Sequence, residues 1–124
     1  MIKVLFIVNA LLTLPFGVLA LIEPETLFRQ FGLDLNPAGA LLARGYATTL
    51  VAYGMVLFLM RNTRDAGTSK AFLYSMVIFN LVETIIQGVA GTRGVANAMI
   101  WVTAVIHSGV FALCIVALAR RKAS

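Results

Sequence analysis

Four apolar runs, each long enough to cross a bilayer, dominate this chain and leave it few possible folds. The first is IKVLFIVNALLTLPFGVLALI, from Ile2 to Ile22. The others extend from Pro37 to Met60, from about Ala71 to Ala90, and from Val95 to Ala119. A helical span takes ~20 residues. Within lipid every backbone donor and acceptor must be met inside the protein, which allows only helices or closed barrels. Barrel strands would alternate apolar and polar residues, whereas these runs are solid. The expected fold is therefore all-α: a single integral membrane domain over residues 1–124, built as a four-helix up-down bundle. Short loops between the spans make sequential helices antiparallel neighbours.

Composition and charge narrow the function classes. The chain is 60% hydrophobic and 12% charged, where soluble domains average ~45–50% and ~25%. The net charge of +5 does not indicate nucleic acid, because the basic residues are few and flank apolar segments. Lys3, Arg61, Arg64, Lys70, Arg120, Arg121 and Lys122 fall on one side of the alternating spans, and only Arg29 and Arg93 on the other. That bias predicts a multi-pass membrane protein with both termini cytoplasmic. Lys3, the apolar stretch after it and the small residues ending at Ala20 also fit a signal peptide. We read the segment as the first span. Cys114 is the sole cysteine, which excludes an intrachain disulfide or a cysteine metal cluster.

Between the first two spans, EPETLFRQFGLDLNP reads as a short helix at the membrane surface. Pro24 suits a first helical position, Glu25 and Arg29 are spaced as an i,i+4 pair, and Gly32 is a stop signal. Leu27, Phe28 and Phe31 share one side, which is expected to face lipid or the bundle. Asn36 and Pro37 read as the cap and first residue of span two. In the loop RNTRDAGTSK, Thr68 or Ser69 is expected to cap span three.

The polar residues inside the spans carry the functional expectations. Asn80, Glu83, Thr84 and Gln87 follow i, i+3, i+4, i+7 and share one helix face. Arg44 and Thr48 stand one turn apart in span two. Arg44 and Glu83 are each about seven residues, roughly 10 Å, from the same membrane surface, so they are expected to pair. The pair is either a structural clamp or part of a ligand site, since an intramembrane charge is costly and marks function by default. His107, mid-way along span four, is expected to be a hydrogen-bonded interior residue. Spans one and three are expected to meet along Asn9, Thr13 and Gly17 against Asn80, Thr84 and Gly88. The local similarity of IVNALLTLPFGV to IFNLVETIIQGV brings those positions into register, and small residues let membrane helices approach closely. No zinc or iron spacing is present. Haem would need a second axial ligand, and the methionines are explained more simply by packing.

The four-span layout, LIEP leading into the short helix, NPAGALLARGYA and GVANAMIW resemble the small DoxX-like bacterial membrane proteins and their relatives. The resemblance covers most of the chain. It implies a link to quinone-dependent sulfur oxidation in some members, hence a redox partner, but assigns no active-site residue here. Three functions stand open: a non-enzymatic accessory or scaffold subunit that self-associates or joins a larger membrane complex; a carrier or channel for a small anionic or amphipathic solute; and a quinone-linked redox subunit. No cofactor is expected in the first two. The candidate ligand-binding residues are Arg44, Thr48, Asn80, Glu83, Gln87 and His107.

Overall fold

The computed structural model describes residues 1–122, and the side chains of Arg121 and Lys122 lie outside the described residues. Five helices follow in order: α1 (Ile2–Ile22), α2 (Pro24–Arg29), α3 (Pro37–Met60), α4 (Ala66–Thr92) and α5 (Met99–Lys122). The four long ones are long and apolar enough to cross a membrane. The protein is a multi-pass membrane protein, all-α, with the short helix α2 between its first two spans.

Local chemistry sets the helix ends. The Asn36 side chain accepts from Gly39 N at 2.7 Å and Pro37 opens α3, as expected. α4 starts at Ala66 rather than near Ala71, because Asp65, and neither Thr68 nor Ser69, caps it through a 2.6 Å bond from Thr68 N. That cap holds the Asp65 carboxyl below its ordinary value, chiefly through the backbone hydrogen bond from Thr68. At the other end of α4, Gly94 takes a positive φ of 65°, and Val95 N donates to Ala90 O at 2.9 Å. This closes the helix as a left-handed residue at its end does, so α5 begins at Met99 instead of Val95.

The bundle is two intimate pairs, α1 with α3 and α4 with α5. Buried residues on α1 include Phe6, Ala10, Thr13, Gly17 and Ala20, and on α3 Ala40, Ala43, Ala47, Leu50, Gly54 and Leu57. Both series step by alternate threes and fours, the spacing that keeps one seam facing a partner along its length. Small side chains let the backbones approach. A Cβ on Gly54 would lie 2.5 Å from Thr13 Oγ1, and one on Gly17 would lie 3.0 Å from Val51 Cγ2.

The expected seam between spans one and three is not formed. Gly17 packs on α3, while a Cβ on Gly88 would meet nothing within 4 Å. The similarity between the two segments survives as a local motif: Thr13 Oγ1 donates to Asn9 O, and Thr84 Oγ1 to Asn80 O, each at 2.8 Å. Both hydrogen bonds lie within one helix, so they never required the helices to touch.

The pairs meet in a core at the end of the bundle that carries the termini. Phe6, Leu57, Leu73, Met76 and Cys114 are fully buried there, with Leu5, Ala10, Val110 and Ala117 around them. Phe6 and Phe72 make an edge contact, ring centroids 5.9 Å apart. At the opposite end Asn97 joins the pairs: its N donates to Phe31 O at 2.8 Å and its Nδ2 to Gln30 O at 2.9 Å. Gly32, with φ of 74°, allows this approach, since a Cβ there would stand 3.3 Å from Asn97 Cβ.

Candidate functional site

Between that clasp and the core lies a cavity of about 420 Å³, within the ~300–1,000 Å³ typical of small-molecule sites. All five helices contribute to it. Phe16 of α1, Phe28 of α2 and Phe31 just beyond it wall the end near α2; Phe16 touches both others, with centroids 6.1 and 6.2 Å apart. Leu12, Leu50, Ile86, Ile100 and Ile106 extend the apolar wall. The expected apolar side of the short helix thus turns Phe28 and Phe31 against the bundle.

One flank of the cavity is polar. Glu83 accepts from Tyr46 Oη at 2.5 Å through Oε1 and from Gln87 Nε2 at 3.0 Å through Oε2. Gln87 is only 9% exposed, and its Oε1 has no hydrogen-bond partner among the described residues. His107 Nδ1 lies 2.8 Å from Asn80 Oδ1. Asn80 Nδ2 donates to Met76 O at 2.8 Å, so Oδ1 is the accepting atom and Nδ1 carries the proton. In the neutral ring Nε2 then holds a lone pair. Phe79 fixes the imidazole from the side, edge-on at 5.8 Å, and itself packs on Tyr53 at 5.0 Å.

The Arg44–Glu83 pair is corrected. Arg44 Nη2 stands 3.6 Å from Glu25 Oε2 on α2, both side chains being close to half exposed. The reason is helical phase. Residues 44 and 46 differ by about 200° around the helix axis, so with Tyr46 turned to Glu83, Arg44 faces nearly the other way. Its long stem carries the guanidinium toward the helix end, where Glu25 waits. Glu25 is accordingly not paired with Arg29, which lies 3.8 Å from Asp34 at the exposed surface.

Of the candidate residues, the structure brings Glu83, Gln87 and His107 together on the cavity wall, with Asn80 behind His107 as its support. It leaves Arg44 and Thr48 outside the lining; Thr48 Oγ1 donates to Arg44 O at 3.0 Å on the same helix. The sequence reading missed Tyr46, Phe79 and Thr103 as site residues. A signal for Tyr46 was present: Tyr46, Leu50, Tyr53 and Leu57 follow i, i+4, i+7, i+11, a stripe that shares Leu50 and Leu57 with the seam and sets the two tyrosines at its edge. Phe79 and Thr103 carry no comparable signal. Among the described residues no cluster of His, Cys, Asp or Glu could hold a metal ion. Comparison of the chain with protein-family models, with curated proteins and with solved structures gave no match.

Proposed function

We propose that this protein binds a small, mostly apolar molecule inside the membrane, in the cavity between its two helix pairs. The observation that carries the reading is the cavity itself: aromatic and aliphatic walls with Glu83, Gln87, Tyr46 and His107 on one flank. Sites for small molecules combine such walls with a few orienting polar groups. This favours a non-enzymatic binding or carrier role for an amphipathic solute over a passive scaffold. The anionic alternative loses its anchor, because Arg44 is engaged with Glu25 outside the lining. The resemblance to DoxX-like proteins would bring a quinone into consideration, as a ligand of the same cavity.

The cavity occupies the half of the bundle nearer α2, while the packed core fills the half nearer the termini. Transport would therefore require the two pairs to move against each other, and self-association or assembly into a larger membrane complex is part of the same proposal. A location in the bacterial inner membrane with both termini cytoplasmic is supported by the basic residues at the terminus-bearing end of the bundle. An alkaline phosphatase fused at the C-terminus should then be inactive.

The binding reading is tested by extracting the protein in mild detergent and identifying copurified small molecules by mass spectrometry. Ala90 lines the cavity, and Ala90→Trp would fill it. The wild-type protein should retain an apolar molecule that the variant has lost. Identical extracts from both would overturn the proposal.

A further inference from the structure

The polar flank of the cavity has an imbalance that specifies the head group of its ligand. Each donor atom on it already makes a hydrogen bond, with one N–H of Gln87 Nε2 left over. Tyr46 Oη and Gln87 Nε2 both donate to Glu83. Thr103 Oγ1 donates to Ile100 O at 2.8 Å, Thr13 Oγ1 to Asn9 O, and His107 Nδ1 to Asn80. The acceptors are not used up. His107 Nε2 makes no hydrogen bond among the described residues, and Glu83 brings a carboxylate. No Lys or Arg is among the described residues that line the cavity. A buried acceptor left unpaired costs free energy, and a carboxylate in an apolar site calls for a positive partner.

Resting on the binding role argued above, we propose that the cavity takes a primary ammonium on an apolar skeleton, its head directed at the Glu83 carboxylate and His107 Nε2. An ammonium has three N–H donors and no acceptor, which matches a flank that offers a carboxylate and an imidazole lone pair. It also supplies the charge Glu83 lacks. The aromatic walls suit the skeleton, and ring faces attract a nearby cation. A quinone fits less well, because its carbonyls accept and the flank has few donors to offer.

The head could belong to a free lipophilic amine or to an aminophospholipid, and one experiment separates these. Binding of 4-phenylbutylamine, 4-phenylbutanol and 4-phenylbutyrate, which share one skeleton, is measured by calorimetry on the full chain in detergent free of aminophospholipid. The amine should bind about tenfold or more tightly than the alcohol, the gain expected for a charge-assisted hydrogen bond, and the carboxylate most weakly. Glu83→Gln, nearly isosteric, should abolish the preference for the amine while the alcohol still binds. Glu25→Gln, which removes a carboxylate outside the cavity, should leave the preference intact. Competition by short-chain phosphatidylethanolamine but not phosphatidylcholine identifies a lipid head; no competition by either identifies a free amine. Equal binding of amine and alcohol by the wild-type protein overturns the ammonium while leaving the binding role standing. Failure of all three compounds to bind overturns both.

Discussion

Gly54 marks the closest approach of α1 and α3, and alanine at this position has two opposing consequences. A methyl group would stand 2.5 Å from Thr13 Oγ1 and 2.7 Å from Leu14 Cγ. Thr13 cannot simply swing away, because its hydroxyl is bonded to Asn9 O, and Leu14 Cγ is close to its own backbone. The helices must separate or both side chains leave their rotamers. Such overpacking costs about 1–3 kcal/mol. Against it, alanine gains roughly 0.5–1 kcal/mol over glycine in a helix interior. Gly88 is the natural control, since a Cβ there meets nothing within 4 Å. The propensity gain is common to the two variants and cancels, so their difference isolates the clash at about 1–3 kcal/mol. At roughly 2–8 °C per kcal/mol, Gly54→Ala should melt several degrees below Gly88→Ala when unfolding is followed by circular dichroism in detergent. If Gly88→Ala melts at or below Gly54→Ala, the pairing of α1 with α3 is refuted.

Three further outcomes are expected. In a double-mutant cycle, Arg44→Met and Glu83→Gln should be additive, because the two side chains have different partners, whereas Arg44→Met with Glu25→Gln should couple by at most about 1 kcal/mol, as half-exposed ion pairs do; strong coupling of Arg44 to Glu83 in thermal melts would restore the clamp. Asn97→Ala removes the bond to Gln30 O and the side-chain acceptor for Met99 N, so stability should fall by about 1–3 kcal/mol, and ligand exchange should quicken; unchanged melting and exchange would show that Asn97 does not hold the pairs together. Because the cap bond keeps the Asp65 carboxyl low, its stabilisation of α4 is complete above pH ~4 and fades as pH falls through the lower folded-state value. Hydrogen exchange at the Thr68 amide should therefore be slower in the wild type than in Asp65→Ala at pH 6, the difference shrinking as pH falls below ~4, and equal protection in the two proteins at pH 6 would contradict the cap.

The spans, their number and their alternating direction follow from the sequence alone, because backbone satisfaction in lipid is a local requirement that each apolar run meets by itself. The Asn36 cap and the turn at Gly32 were legible for the same reason: each depends on residues a few positions away. The pairing of α1 with α3 was also written in the chain, in the three-four stripe from Ala40 to Leu57 and its counterpart from Phe6 to Ala20. The local similarity around Asn9 and Asn80 was the more conspicuous pattern and pointed to the wrong seam, since its hydrogen bonds are internal to each helix. Depth could be counted from the sequence, and it brought Arg44 and Glu83 to similar levels. Azimuth could not, because which side of α3 faces α4 depends on how closely Gly17 and Gly54 let α1 approach. That rotation turned Tyr46 to Glu83 and sent Arg44 to Glu25. The cavity likewise belongs to tertiary structure: it arises where two pairs, each tightly seamed within itself, meet in a core at one end and through Asn97 at the other, with Tyr46–Glu83 and Tyr53–Phe79 bridging them along one flank.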